Sequence, residues 1–192
     1  MGLNAYIEAL GTKSDYGSAT ASTMAVQIDG KPGKRLGILA YGVTPRLSPT
    51  SFTVLQCIEH STVSAAVASG ATTITATAFT TAPATGATFV IMLDNGANQW
   101  LTVASTASTT SVPISSALTD TLAAGNKLYN LGVAGADGHN VIPLAASTYK
   151  SDACEVGLFW SSYRGAPIKV NFYSADSSAA AIDYVTYCYT NV

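Results

Sequence analysis

Histidine, the side chain most often used as a general base, occurs only at His60 and His139 in this chain of 192 residues. Serine and aspartate are abundant, so a Ser-His-Asp arrangement is not limited by supply. What is missing is a local frame for one, because no Gly-x-Ser-x-Gly elbow occurs. His139 lies in Gly135-Ala136-Asp137-Gly138-His139-Asn140, the composition of a turn leading into Val141-Ile142, and reads as a hydrogen-bonding loop or interface residue. The glutamates are Glu8, Glu59 and Glu155, and no spacing selects two of them as the acid and base of glycoside cleavage. Asp94 with Asn95, or Asp137 with Asn140, could offer oxygens to Ca²⁺. Neither pair has EF-hand spacing, and Asp and Asn favour hairpin tips for conformational reasons alone. Cys57, Cys154 and Cys188 are widely spaced within apolar runs, with no Cys-x-x-Cys and no Cys/His cluster to hold zinc. They read as buried thiols acting as small hydrophobes, or as including one pair that the fold brings together. Phosphate-cradling glycine motifs are absent. The expectation is a protein that is not an enzyme and holds neither cofactor nor metal.

Binding chemistry is better represented. Lys31, Lys34, Arg35 and Arg46 form the one same-sign cluster, with no acid between residues 31 and 46. It reads either as a solvated turn guarding a sheet edge or as a contact for an acidic partner surface. Tyr163, Tyr173, Tyr184, Tyr187 and Tyr189 crowd the C-terminal third together with Trp160. Tyrosine on both faces of the final strand points to a subunit contact or a thick core, because a ring with a polar tip suits an interface.

The elements that would carry these residues are strands. Apolar residues make up 48% of the chain and charged residues 10%, too apolar for a disordered chain and sufficient for a packed core. The formal charge of -2 gives no footprint for nucleic acid or an anionic membrane. No apolar run reaches the length of a membrane helix, and the start lacks the pattern of a secretory signal, so synthesis and folding in a cytoplasm are expected. Residues 1–60 hold nine of the twenty charges, whereas residues 61–126 hold only Asp94 and Asp120. A bland Ala/Thr/Ser/Val middle between ordinary flanks predicts an insertion.

Asn4 to Leu10 predicts one helical turn ended by Gly11, followed by a polar extended stretch to Thr23. Strands are predicted at Met24–Ile28, Leu36–Val43, Ser51–Glu59, Cys154–Trp160, Ile168–Tyr173 and Ile182–Tyr189. Within the middle zone, Ala78-Phe79-Thr80 through Gly86-Ala87-Thr88-Phe89 matches Ala117-Leu118-Thr119 through Gly125-Asn126-Lys127-Leu128 at a constant offset of 39 residues. Each copy reads as strand, loop with a glycine turn, and strand, and two copies can bury their apolar faces together. Between them, Asn95-Gly96 marks a hairpin. The predicted architecture is all-β: a β-sandwich or jelly-roll-like domain from residues 24–68 and 132–192, an N-terminal arm over 1–23, and an inserted β subdomain over 69–131 containing the repeat.

Ser69-Gly70-Ala71-Thr72-Thr73-Ile74-Thr75, Pro83-Ala84-Thr85-Gly86 and Ala123-Ala124-Gly125-Asn126-Lys127-Leu128-Tyr129 resemble small β modules of tailed-bacteriophage virion proteins. With its polar N-terminal segment and charge-poor insertion, the whole chain looks like a capsid decoration, or cement, protein. That resemblance implies a homotrimer on the outer capsid surface, made in the host cytoplasm, that reinforces contacts between capsomers through the major capsid protein. It implies no catalytic residue. On this reading Tyr6, Lys31, Lys34, Arg35 and Arg46 are candidate shell contacts. Trp160, Tyr163, Tyr173, Tyr187 and Tyr189 are candidate subunit contacts. A head fibre or tail component, or a carbohydrate-binding or adhesive module using Trp100, Trp160 or Tyr163, are the alternatives.

Overall fold

Runs of Val, Ile, Thr, Tyr and Phe punctuated by Gly, Pro and Asn favour pleated, half-buried backbone over helix. The computed structural model describes residues 7–13, 23–42, 51–136, 142–143, 154–173 and 184–190, and these are all-β with antiparallel sheets. The chain divides into two compact units, Met1–Gln56 with His139–Val192, and Cys57–Gly138. The second unit extends beyond the composition-defined span of 69–131 at both ends.

The first unit holds two four-stranded sheets. One is ordered β1 (Ile7–Lys13), β14 (Tyr184–Thr190), β3 (Arg35–Gly42), β12 (Cys154–Trp160). The other runs β11 (Ile142–Pro143), β4 (Ser51–Leu55), β13 (Ile168–Tyr173), β2 (Thr23–Ile28). Val26, Ile28, Leu36, Val54, Ile168 and Val170 are buried in it. The helical turn expected over Asn4–Leu10 is corrected: Ile7–Lys13 is an edge strand, with Leu10 opposite Cys188 and Gly11 opposite Tyr187. A single isolated turn cannot offset its nucleation cost, whereas pairing with β14 satisfies the same backbone groups along a row. Part of the segment read as an arm therefore belongs to a sheet. The strand expected over Ser51–Glu59 is likewise broken. Its first half is β4 in the first unit, and Glu59–Thr62 forms β5 in the second. At the break, the Ile58 N–H donates to the Asn130 carbonyl at 2.9 Å.

The second unit is built from the repeat. Its main sheet is ordered β5, β10 (Lys127–Gly132), β7 (Thr88–Met92), β8 (Asn98–Thr102), beside a small pair of β6 (Thr73–Thr75) with β9 (Ser111–Pro113). The first copy contributes β5, β6 and β7, and the second contributes β8, β9 and β10. The central pairing joins equivalent strands, with Val90 opposite Tyr129. In the small sheet Ile74 sits opposite Val112. Antiparallel pairing of equivalent residues relates the copies by an approximate two-fold axis.

The copies are also interlocked. β5 pairs with β10 of the other copy, not with its own β7, and β8 pairs with β7. Turn hydrogen bonds follow the same exchange. The Gly86 N–H donates to Val103 O at 2.9 Å, and the equivalent Gly125 N–H to Val63 O at 2.8 Å. Both glycines have left-handed backbone, φ 82° and 92°, which a side chain would oppose. One core results. Phe79, Phe89 and Ile91 from the first copy and Leu118, Leu122 and Leu128 from the second are buried in a single cluster. The rings of Phe79 and Phe89 meet edge-to-face with centroids 5.8 Å apart.

Equivalent positions solve one backbone problem with different chemistry. The Glu59 carboxylate accepts from the Thr80 and Thr81 N–H groups. Its counterpart Gln99 accepts from the Thr119 N–H at 3.0 Å and donates through Nε2 to Ala117 O at 2.9 Å. A carboxylate has no donor, and in the first copy Ser61 Oγ supplies that bond, to Ala78 O at 2.7 Å. Glu59→Gln keeps one acceptor but turns its amide NH2 toward a backbone N–H from which the carboxylate accepts, and should cost about 0.5–1.5 kcal/mol. Gln99→Glu should cost about 1 kcal/mol, since it loses the Ala117 bond and brings a carboxylate against a carbonyl. Urea midpoints of the two variants measure both costs.

Candidate functional site

The cationic residues sit on a turn that glycine makes possible. Lys31-Pro32-Gly33-Lys34 connects β2 to β3, closed by the Lys34 N–H to Lys31 O bond at 3.0 Å, with Gly33 at φ 73°. Against it lies the β12–β13 loop, residues 161–167. The Gly165 N–H donates to Lys34 O at 2.7 Å, and the Ser161 N–H to Leu36 O at 2.7 Å. Buried Ser161 Oγ accepts from the Leu36 N–H at 3.0 Å. The two loops touch backbone to backbone: a Cβ at Gly30 would lie 1.8 Å from Gly165 O. Bare backbone is thus required at residue 30, and it fixes one loop on the other.

Side chains complete this platform. Tyr189 reaches from β14 and donates its hydroxyl to Asp29 O at 2.6 Å. The Lys31 ammonium stands 4.5 Å from the centre of the Tyr189 ring, a cation–π contact that restrains a flexible cation. Arg164 Nη1 lies 3.5 Å from Gly33 O, across 131 residues of sequence. Arg35, Lys31 and Arg164 are exposed, Lys34 is half-exposed, and Tyr163 keeps 38% of its surface. The outcome is a rigid frame carrying four cations and a tyrosine.

Of the residues singled out from sequence, Lys31, Lys34 and Arg35 therefore stand together, and Tyr163, expected at a subunit contact, joins them. Arg164 was missed; nothing near it in sequence marks it, and only the close approach of Gly30 to Gly165 brings it to the cluster. Tyr189 is only 5% exposed and serves the unit internally, which corrects its expected place at a subunit surface. The reason is that the turn after β2 covers its ring, with Asp29 O accepting its hydroxyl and Lys31 standing over its face. Trp160, Tyr173 and Tyr187 lie on β12, β13 and β14, but their side chains fall outside the described residues, as do Tyr6 and Arg46 altogether. Trp100 is half-buried on β8 opposite Val90, and His60 is exposed on β5 opposite Tyr129. His139, Asp137 and Asn140 lie outside the described residues.

Of the oxygens considered for Ca²⁺, those of Asp94 and Asn95 accept protein donors. The Asp94 carboxylate accepts from Thr121 Oγ1 at 2.7 Å, the Ala123 N–H at 2.8 Å and Asn126 Nδ2 at 2.7 Å. Asn95 Oδ1 accepts from the Ala97 N–H at 2.9 Å. Asp94 thereby ties the β7–β8 hairpin to the loop before β10, and the Thr121 and Ala123 bonds hold its carboxyl below the usual aspartate range. Cys57 is buried and donates to Glu59 O at 3.1 Å, and burial pushes its thiol up to about 12, so it stays protonated. Among the described residues, no three His, Cys, Asp or Glu side chains group to hold a metal ion. The chain matches no protein-family model, no curated protein and no solved structure.

Two predictions follow the geometry. Gly30→Ala should destabilise the first unit by about 1–3 kcal/mol by overpacking, read as a lowered melting temperature. Asp94, with its lowered folded-state pKa, adds stability above the unfolded value of about 3.9 that is lost as pH falls through the folded one. Asp94→Asn should therefore lower the urea midpoint at pH 7 and flatten its fall as pH drops below about 4.

Proposed function

We propose that this chain is a structural subunit of a virus particle, a bacteriophage capsid decoration protein that binds the outer shell and reinforces contacts between capsomers. The observation that carries the reading is the ordered basic platform of Lys31, Lys34, Arg35 and Arg164, with the exposed Tyr163 on the loop that packs against their turn. Such a surface suits docking, because its loops are already ordered and little freedom is lost on contact. The interlocked unit supports the same reading. It has one apolar core, exchanged strands and only two charges between residues 61 and 126, and its conspicuous polar side chains, Glu59, Gln99 and Asp94, bond to its own turns. That is a design for persistence rather than for turnover. The likeness of the Ala/Thr-rich repeat to phage virion modules adds to it.

A second reading, a carbohydrate-binding module, is favoured by one feature, an exposed tyrosine held beside an arginine on ordered loops. Purified phage capsids lacking decoration separate the two. Saturable co-sedimentation, with a native mass near three times 19.6 kDa by light scattering, is the expected result. A monomer that fails to saturate capsids but is retained on a glycan array overturns the virion reading.

A further inference from the structure

We infer that the two-loop platform is a docking surface for an acidic, carboxylate-rich protein segment, with Arg164 determining which carboxylates fit. The inference rests on the proposed particle role only for the identity of the protein that carries the segment. Residues 29–35 and 161–166 hold four cations against one acid, Asp29, a net +3. Because the whole chain is -2, everything outside the platform is -5. The sign of the molecule therefore reverses locally. Charges on exposed surface are screened beyond about 8 Å at physiological ionic strength, so a short acidic segment feels chiefly the platform. A long polyanion such as duplex DNA needs a longer run of positive charge than four side chains on two short loops offer.

Chemistry narrows the ligand further. The Arg164 guanidinium presents a planar fork that matches a carboxylate with two parallel N–H···O bonds, which a lysine cannot reproduce. Its Nη1 already lies beside Gly33 O, so the fork is oriented from its inner side. Lys31 is restrained by the Tyr189 ring and offers a second positive point on the same turn. Tyr163 adds an aromatic face with a hydroxyl tip, which suits a segment in which acidic residues alternate with apolar ones. A contact of this size is weak at one site, and several copies on one particle would raise its avidity without a new bond.

The test uses the full chain with three substitutions, Arg164→Glu, Arg35→Glu and Arg164→Lys, and a control, Lys127→Glu, at an exposed lysine of the other unit. Circular dichroism melts establish that each variant folds. Binding is measured by fluorescence anisotropy to a labelled glutamate-rich peptide with interspersed leucines, and by co-sedimentation with undecorated capsids, each at low and high salt. Wild type is expected to bind the peptide in a salt-sensitive way. Arg164→Glu and Arg35→Glu should each weaken it about tenfold or more, Arg164→Lys should recover only part, and Lys127→Glu should match wild type. Peptide binding lost in the folded Glu variants, without capsid binding by any form, keeps the platform inference and overturns the particle reading. Capsid binding unchanged by Arg164→Glu and Arg35→Glu keeps the particle reading and overturns this inference. Binding of wild type to phosphatidylserine vesicles or duplex DNA, with none to the peptide, overturns the assigned partner class.

Discussion

The pairing of β7 with β10, with Val90 opposite Tyr129, is the contact around which the second unit is organised. It brings the last strands of the two repeat copies into the middle of one sheet. Each copy's first strand must then find its partner across the axis, β5 on β10 and β8 on β7. Neither copy closes on itself, so the apolar face of each is complete only when the other is in place. The shared core of Phe89, Ile91, Leu122 and Leu128 is the energetic expression of that dependence. Folding of the unit has to bring together strands far apart in sequence, and its opening has to disrupt both halves together.

That constraint also accounts for the chemistry of the surface turns. Glu59 and Gln99 are equivalent in the approximate symmetry, yet one is an acid and the other an amide. Each satisfies the same orphaned backbone N–H, and the difference is absorbed by Ser61, which bonds the carbonyl that a carboxylate cannot. Asp94 has no acidic counterpart across the axis, where Val133 stands, and it is bonded into the loop before β10. The polar side chains Glu59, Gln99 and Asp94 are thus occupied by bonds to the unit's own turns. The first unit contrasts with this: there, Lys31, Arg35 and Arg164 are exposed on or beside loops that the Gly30–Gly165 contact joins.

Placing the basic cluster with Tyr163 joins two surfaces that composition had kept apart. Cations at residues 31–35 and an aromatic at residue 163 become one face because the loop after β12 lies on the turn after β2. Such a surface combines positive charge with an aromatic side chain, the mixture enriched at protein interfaces. It is the surface on which the proposed structural role rests.

Much of this protein was decided locally and could be read along the chain. Alternation and β-branched composition marked Met24–Ile28, Cys154–Trp160 and Ile168–Tyr173 as strands, because side chains on successive residues face opposite ways whatever the partner is. Asn95-Gly96 marked its hairpin, and the recurrence of Gly86 at Gly125 marked equivalent turns, since left-handed backbone demands particular residues. Partners were not legible. Ile7–Lys13 is a strand only because β14 lies beside it, and Ser51–Glu59 breaks only because its halves belong to different units. The exchange of β5 and β8, the inward use of Tyr189 and the arrival of Arg164 at the basic turn all depend on hydrogen bonds and packing across long sequence separations. Residue type and spacing determine which faces are apolar and where the chain turns. Which face meets which is a competition among many such faces, and only the packed tertiary structure resolves it.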